Sequence, residues 1–278
     1  TYSADNPPRA VRVRYWLRDD VAAATTDDSG DNGSHTGSAG TVELNITDAS
    51  GAAVRTLEGP SSSGVHEVLW DWRYDAPYDA PARAGGGGRR GGGTPQGPIV
   101  MPGTYTVSIT LGDETYSASV EIEADPRRPM TMADRRTRQD ALISLHALAK
   151  PLYEAGERAS TLSDQMDEAE ALLAGHTDAP ESLAEELTAI QDELEEISDG
   201  LQEARRWAGV ASAIQGSSTL PTEDQVWQID AAWDAAPPLV ERLNTLIEQR
   251  VPAFNASLDA EGVRPDPGER LEVPRRGR

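Results

Sequence analysis

The chain contains no cysteine, one lysine (Lys150) and one phenylalanine among its 278 residues. The absence of cysteine excludes a disulfide framework, a cysteine zinc site and thiol chemistry. No run of 18 apolar residues is present, so the sequence predicts no membrane span. The first residue is Thr1 rather than methionine and no signal peptide is visible, so we expect a processed product or a piece of something longer.

Bases are scarce relative to acids. The 25 lysines and arginines face 47 aspartates and glutamates, which gives a formal net charge of −22 at pH 7. An anionic field of this size repels nucleic acid, so we expect no nucleic-acid partner. The near absence of lysine fits GC-rich codon usage or, together with the acidity, a salt-loving host. Apolar residues make up 37% of the chain, which suffices for modest cores in about two domains but not for one large core.

Residues 9–125 show the apolar alternation, with a period of two, that half-buried strands require. In GVHEVLWDW at 64–72 the inward candidates are Val65, Val68 and Trp70, and their spacing predicts a bulge or a change of face. The predicted strands cover residues 9–17, 40–47, 53–57, 64–72, 103–111 and 114–122. Six or seven short strands joined by Gly/Asp turns predict a β-sandwich.

Four segments around these strands lack periodicity. The oxygens of DDSGDNGSH at 27–35 suit a hard cation, so a weak Ca²⁺ site is one alternative. However, the glycine position misses the EF-hand pattern and no glutamate closes the loop, so a solvated loop is expected. The Gly/Arg-rich insertion at 75–97 cannot bury enough surface to offset its ordering entropy and is predicted to be flexible. Residues 1–8 are interpreted as an N-terminal linker and residues 263–278 as a tail.

Residues 126–262 change to apolar spacings of three and four, which predict α-helices. The first stripe is Leu145, Leu148, Leu152, Ala155, Ala159, Leu162, Met166, Ala169 and Leu173. The second stripe is Leu183, Leu187, Ile190, Leu194, Ile197 and Leu201. The third stripe is Val226, Ile229, Trp233, Ala236, Val240, Leu243 and Ile247. Three helices with such stripes predict an antiparallel three-helix bundle.

Capping and breaking residues mark the predicted helix boundaries. The starts are predicted near Thr131, Pro180 and Thr222. The first helix is predicted to stop at Gly175 and the second at Gly216. Pro151 and the Pro237–Pro238 pair lie inside predicted helices, and each is expected to kink or split its helix.

No residue is predicted to be catalytic, to bind a cofactor or to ligate a metal. Acidic residues recur on helices whose opposite face is apolar, which is typical of a solvated face; they are Asp167–Glu168, Glu185–Glu186, Glu193 and Glu195–Glu196. The four histidines, His35, His66, His146 and His176, share no metal-like spacing. His66 is expected to point outward from its strand.

An aromatic set, Trp16, Trp70, Trp72, Tyr74 and Tyr78, is a candidate for sugar stacking. Aromatic rings on a sandwich face stack against sugars in carbohydrate-binding modules. Trp70 is expected to pack in the core instead, because aromatic residues dominate the cores of small sandwiches. Trp72, Tyr74 and Tyr78 are expected to cover the base of the Gly-rich insertion or a joint between domains. Carbohydrate binding is therefore kept as an alternative.

Three short motifs carry a family resemblance: VRTL at 54–57, GVHEVLWDWRY at 64–74 and PGTYT at 102–106. In this order they resemble the C-terminal region of large secreted bacterial and archaeal proteins that carry sortilin-type, BNR-repeat β-propellers. Asn6-Pro7-Pro8 and Asp125-Pro126-Arg127 match the segments on either side of the sandwich in that family. The long Gly/Arg-rich insertion and the loop at 19–39 depart from it.

The resemblance implies an α+β multidomain chain. Its N-terminal part, residues 9–125, would be an all-β sandwich of the immunoglobulin or fibronectin III-like type, followed by the three-helix bundle at 126–262. It further implies a secreted protein, extracellular or periplasmic, that acts as a non-catalytic accessory module and docks on a β-propeller domain of the same or an associated polypeptide. Any glycosidase-like activity would belong to the propeller. Asp71, which follows Trp70, is expected to accept backbone hydrogen bonds in the next turn.

Two other functions stay open. The chain can be a carbohydrate- or cell-surface-binding module that uses its exposed aromatic residues. It can also be a subunit of an extracellular filament or surface assembly, in which helical stripes left exposed pack between copies of the chain.

Overall fold

A computed structural model describes residues 9–21, 40–79, 95–127, 129–176 and 179–263. The chain is mixed α+β and divides into two compact units. We call residues 1–147 with 211–222 the β unit, and residues 148–210 with 223–278 the helical unit. Four predicted segments lie wholly or mostly outside the described residues: the linker at 1–8, the loop at 27–35, the insertion at 75–97 and the tail at 263–278.

The described part of the β unit contains two antiparallel sheets, and the six predicted strands are confirmed. The strands are β1 (Val11–Leu17), β2 (Thr41–Thr47), β3 (Ala53–Pro60), β4 (Gly64–Trp70), β5 (Gly103–Leu111) and β6 (Glu114–Ile122). One sheet pairs β1 with β4, and the other has the order β3-β2-β5-β6. Two of the predicted Gly/Asp turns are present, between β2 and β3 and between β5 and β6. Gly51 and Gly112 in these turns have positive φ angles, which favour glycine.

Both sheets contribute side chains to one apolar core. Its buried members are Leu44, Ile46, Val54, Trp70, Val100, Tyr105 and Val107. Trp70 is fully buried, as expected, and its ring meets that of Tyr105 edge to face at 5.4 Å between centroids. Val11, Val13 and Tyr15 of β1 pack against this core from the second sheet. Burying these side chains is the main stabilising contribution in a unit that has no cysteine.

The prediction for β4 was wrong at two positions. Val65 is 73% exposed, whereas His66 lies on the inward face with Val68 and Trp70. The strand pairs with β1 in continuous register, so strict alternation backwards from Trp70 decides which side chains point inward. The polar ring of His66 is tolerated there because its Nε2 donates to the Ser62 carbonyl at 2.6 Å.

The described helices are α1 (Met132–Ala174), α2 (Glu181–Ala208), α3 (Ala211–Gly216), α4 (Glu223–Thr245) and α5 (Val251–Ala260). A π-helical segment, Leu246–Arg250, joins α4 to α5. Thr131 caps α1, since its Oγ1 accepts the Asp134 N–H at 3.1 Å. The predicted end of the second helix at Gly216 was wrong, because α2 stops at Ala208 and Gly216 ends the separate α3.

Helices α1 and α4 run unbroken through Pro151 and Pro237–Pro238, so the expected splitting does not occur. Both proline sites are exposed, and buried residues on either side, such as Leu148 and Leu152 around Pro151, hold the helix against its core. Tertiary packing therefore outweighs the local cost of proline. Among the described residues, no helix combines the length and the apolar character needed to cross a membrane.

Residues from α1, α2, α4, the π-helical segment and α5 share the core of the helical unit. The predicted stripes of the first two helices are confirmed, apart from a half-buried Leu173 at the end of the first. The third stripe was wrong at Val226 and Trp233, which are both exposed. Its buried residues are Ile229, Ala232, Ala236, Leu243 and Leu246.

The two units do not follow the boundary that the sequence predicts at residue 126. The first turns of α1 and the whole of α3 belong to the β unit. Arg138 on α1 donates from Nε to the Ile214 carbonyl at 3.0 Å and from Nη2 to the Gln215 carbonyl at 2.6 Å. The Gln215 side chain in turn accepts the Ile99 N–H at 2.9 Å. These bonds join α1, α3 and the segment before β5.

Candidate functional site

The segment after β4 has an unusual backbone. Trp72 has a φ of 60°, in the left-handed region that a side chain other than glycine occupies at a cost of about 1–2 kcal/mol. Hydrogen bonds hold it there: the Val100 N–H donates to the Trp72 carbonyl at 2.8 Å, and the Tyr74 N–H donates to the Pro98 carbonyl at 3.0 Å. Such strain persists only where neighbouring structure enforces it, and it is common at functional sites.

Trp72 lines a cleft of about 800 Å³ in the β unit, which we call the Trp72 cleft. Its apolar lining comes from strand ends and from the segment before β5, and consists of Val11, Trp72, Ile99, Val100, Met101, Pro102 and Ile122. The Tyr105 hydroxyl donates to the Met101 carbonyl at 2.7 Å, which ties the segment before β5 to the core. Burial raises the pKa of Tyr105 to about 12, so this donor keeps its proton at neutral pH.

The charge around the Trp72 cleft differs from that of the rest of the chain. Four arginines line it, Arg9, Arg127, Arg135 and Arg138, against three acids, Glu121, Glu123 and Asp125. In the whole chain the acids outnumber the bases by 47 to 25. Arg127 pairs with Asp125 at 3.0 Å, and Arg138 is held by the carbonyls of α3. The cleft is therefore an apolar surface whose surroundings carry one more base than acid, unlike the acidic chain as a whole.

One polar side-chain atom near this region, Asp71 Oδ1, is buried without a hydrogen-bond partner among the described residues. The expectation that Asp71 accepts backbone hydrogen bonds is not met at this oxygen, and its other oxygen lies 4.0 Å from Arg73 Nε. Gln139 lines the Trp72 cleft. Its side chain forms a hydrogen bond with the Tyr74 side chain.

The structure does not bring the three described histidines together. His66 lies in β4, His146 donates to the Asp75 carbonyl at 2.9 Å, and His176 bonds the Leu172 carbonyl in its own helix. His35 lies outside the described residues. Within the described ranges, no group of three or more histidine, aspartate or glutamate side chains is arranged to hold a metal ion.

The acidic residues singled out in the sequence are mostly exposed, which confirms a solvated helix surface. Glu193 is an exception. Its Oε1 lies 3.7 Å from Arg242 Nε, and its Oε2 pairs with Arg250 Nη1. Its side chain is 25% exposed, so it ties α2 to α4 and to the π-helical segment rather than facing bulk water.

The predicted aromatic set does not form one surface. Trp70 is in the core, Trp72 lines the Trp72 cleft, and Trp16 is 64% exposed on β1. Tyr74 lies at one end of the insertion and pairs with Pro98 at the other end. Sequence patterns do not indicate the arginines around the Trp72 cleft, because Arg9 is far along the chain from Arg127, Arg135 and Arg138. Trp72 is partly buried against the core that contains Trp70, and it also lines the cleft.

No protein-family model, no curated protein and no solved structure matches this chain. The resemblance to the C-terminal region of sortilin-type β-propeller proteins therefore depends on the order of the short motifs alone.

Proposed function

We propose that this chain is a non-catalytic accessory module of a secreted, extracellular or periplasmic protein. Its β unit is an immunoglobulin or fibronectin III-like sandwich that docks on a sortilin-type β-propeller of the same or an associated polypeptide. Its helical unit is an antiparallel three-helix bundle that serves assembly or spacing.

The roles of the motif residues support this proposal. Val54 of VRTL, Trp70 of the Trp-Asp motif and Tyr105 of PGTYT are all buried in the same core. The motifs on which the resemblance depends are therefore requirements of packing, as expected for a shared fold rather than a shared reaction.

The observation that carries the docking proposal is the position of Trp72. In the Trp-Asp-Trp segment, Trp70 is buried in the core, whereas Trp72, with its left-handed backbone, lines the cleft. Tryptophan and arginine are the residues that most often dominate binding energy at protein interfaces. An apolar floor containing Trp72, with Arg9 and Arg127 at its rim, provides both in one place. The small excess of arginine around the cleft favours an acidic rather than a basic loop of the partner.

The construction of the helical unit is consistent with a spacer. Helix α2 has 28 residues, which at about 1.5 Å per residue corresponds to roughly 40 Å. Its seven buried residues recur every three or four positions, so one face of the helix packs against its neighbours along its whole length.

Isothermal titration calorimetry of the chain against the purified β-propeller encoded with it tests the proposal. We expect saturable binding that is weakened about tenfold or more by Trp72→Gly, because a hot-spot ring is lost. Glycine adopts a φ of 60° without strain, so this variant removes the ring while the backbone is kept. Trp16→Ala is the matched control, since Trp16 lies in the same unit and does not line the Trp72 cleft.

Three results would refute the proposal: no binding by the unmodified chain, equal binding by Trp72→Gly, or hydrolysis of a glycoside or peptide bond by the purified chain. Circular dichroism of each variant shows whether a lost signal reflects the cleft or a loss of folding.

A further inference from the structure

Strand β6 lies at one edge of the four-stranded sheet. The strand order is β3-β2-β5-β6, so among the described residues β6 pairs with β5 on one side only. Because the Gly112–Asp113 turn between them has two residues, Leu111 and Glu114 form a hydrogen-bonded pair, and such pairs alternate along the ladder with pairs that are not hydrogen-bonded. The backbone N–H and C=O groups that point away from β5 are therefore those of Thr115, Ser117, Ser119 and Glu121. We call this row of groups the β6 edge.

The opposite edge of the same sheet is protected. At β3 the Thr56 N–H donates to the Asp75 carboxylate at 3.2 Å, and the Asp75 N–H donates to the Val54 carbonyl at 3.0 Å. A register shift also interrupts the pairing of β3 with β2, and the last residue of β3 is Pro60. Natural proteins use such features to prevent strands from pairing edge to edge.

The β6 edge lacks these protective features. Within the described ranges, no group bonds its outward N–H and C=O groups. The pairing of β6 with β5 has no register shift, and the strand contains no proline, lysine or arginine. An extended strand with an open edge of this kind is a template for another strand.

The side chains of β6 suit the approach of an acidic chain. No residue from Thr115 to Val120 is charged, although the chain as a whole has a formal net charge of −22. Tyr116 is 52% exposed even though it lies opposite Ile109 on the core-facing side of the sheet, and Ala118 on the same side is exposed as well. The strand therefore offers apolar surface at a place where two acidic molecules repel each other least.

We propose that the β6 edge pairs with the β6 edge of a second copy of this chain. The two strands run antiparallel about a two-fold axis at Ala118. The cross-strand pairs are then Tyr116 with Val120, Ser117 with Ser119, Thr115 with Glu121, and Ala118 with Ala118 of the second copy. An aromatic residue against a β-branched one, and one hydroxyl against another, are favourable pairs.

The charges and the backbone groups of β6 both agree with this register. Each glutamate faces an uncharged residue, Glu114 opposite Ile122 and Glu121 opposite Thr115, so no like charges lie directly opposite each other. The outward backbone groups of Ser117 meet those of Ser119 on the second copy and can exchange both hydrogen bonds. The contact is isologous and therefore closes as a dimer, in which the two four-stranded sheets become one continuous sheet.

This pairing goes beyond the docking proposed above and does not depend on it, since it needs no propeller. Sedimentation velocity of the purified full chain, at loading concentrations from about 1 to 200 μM, tests it over the range of weak dimers. We expect a monomer–dimer equilibrium that is tighter in about 1 M than in about 0.1 M salt, because salt screens the repulsion between two acidic chains.

Ser119→Pro should weaken the dimer about tenfold or more, because proline removes an outward N–H and its ring obstructs the edge. The fold should tolerate this change, since the lost N–H points away from β5. Ser119→Ala is the matched control, which keeps the N–H and should dimerise like the unmodified chain. Circular dichroism of both variants checks that they are folded.

Cross-linking tests the register. The chain contains no cysteine, so Ala118→Cys introduces a single thiol. Opposite residues of a non-hydrogen-bonded pair have Cα atoms about 4.5 Å apart, within the range of a disulfide, so mild oxidation should link two copies of Ala118→Cys. Thr115→Cys is the matched control, because it is exposed on the same strand but lies opposite Glu121 and should not cross-link.

Three results would overturn the proposal: a chain that stays monomeric at every concentration and salt, dimers of Ser119→Pro as tight as those of Ser119→Ala, or equal cross-linking of Thr115→Cys and Ala118→Cys. None of them bears on the binding of a propeller at the Trp72 cleft, so the two proposals can fail separately.

Discussion

The guanidinium of Arg205 lies against Gly156 in the space that a larger side chain would need. A Cβ added at Gly156 would come within 2.0 Å of Arg205 Nη2. Because that space is open, Arg205 reaches the backbone of α1 and donates from Nε and Nη2 to the Leu152 carbonyl, at 3.1 and 2.7 Å. A third bond, from Nη2 to the Tyr153 carbonyl, is 3.0 Å long. Glycine at position 156 therefore leaves the room that Arg205 of α2 needs to reach the backbone of α1.

This contact predicts that the effect of Gly156→Ala on stability changes sign when Arg205 is removed. Gly156→Ala should lower the free energy of unfolding by about 1 kcal/mol, because losing charged hydrogen bonds outweighs the gain of about 1 kcal/mol in helix propensity. In an Arg205→Ala background the same substitution should raise stability by about 0.5–1 kcal/mol, since only the propensity gain remains. Urea unfolding of the four proteins in this double-mutant cycle measures both values. Stabilisation by Gly156→Ala in both backgrounds would show that Arg205 does not need the space.

Trp70 should be the most sensitive position of the β unit. Its ring is fully buried and its Nε1 donates to the Arg73 carbonyl at 3.0 Å. Trp70→Ala should cost about 3–5 kcal/mol, through the cavity and the unsatisfied carbonyl. Trp16→Ala, at an exposed position of the same unit, should change stability by about 0.5 kcal/mol or less. Urea unfolding followed by near-UV circular dichroism measures the stability of both variants. Similar losses of stability in Trp70→Ala and Trp16→Ala would show that Trp70 is not a core residue.

Tyr105 should make the β unit sensitive to alkali. Burial raises the pKa of Tyr105 to about 12, from an ordinary value near 10. The folded state therefore holds this proton more tightly than the unfolded state, and its contribution to stability is complete below pH 10 and lost between pH 10 and about 12. The unmodified chain should lose stability more steeply over this range than Tyr105→Phe. Tyrosinate absorbance should show a component near pH 12 that is missing from the variant.

Glu193 should contribute through its two arginine partners. Glu193→Gln should lower the free energy of unfolding by about 1 kcal/mol at low salt, because Arg242 and Arg250 lose a shared, partly buried carboxylate. High salt should reduce this difference by screening. Glu195→Gln, at an exposed position of the same helix, corrects for the general effect of removing one charge from an acidic chain. Equal stabilities of the two variants would remove any special role for Glu193.

The strands could be predicted because each is specified locally. Alternation fixes which residues point inward, and turn residues fix where each strand stops. At the turn after β2, for example, Asp48 accepts hydrogen bonds from Ser50 and from the Ala52 N–H. These bonds, chiefly the one from the Ser50 hydroxyl, hold the pKa of Asp48 below its ordinary value. The error at Val65 came from ranking apolar character above alternation, although Trp70 already fixed the face.

The Trp72 cleft could not be predicted, because distant segments build it. Arg138 and Gln215 are 77 positions apart, and no local period relates one to the other. The left-handed backbone at Trp72 depends on bonds from residues beyond the insertion, which sequence patterns do not report.

The return of residues 211–222 to the β unit has a consequence for how the protein is made. During synthesis the strands leave the ribosome first, yet the Ile99 N–H finds its acceptor on Gln215, 116 positions later. The β unit thus closes only after residues 148–210 of the helical unit have been translated. Such late, non-local closure slows folding and leaves the nascent strands open to aggregation. A recombinant fragment ending at residue 126 would reproduce that unfinished intermediate rather than an independent domain.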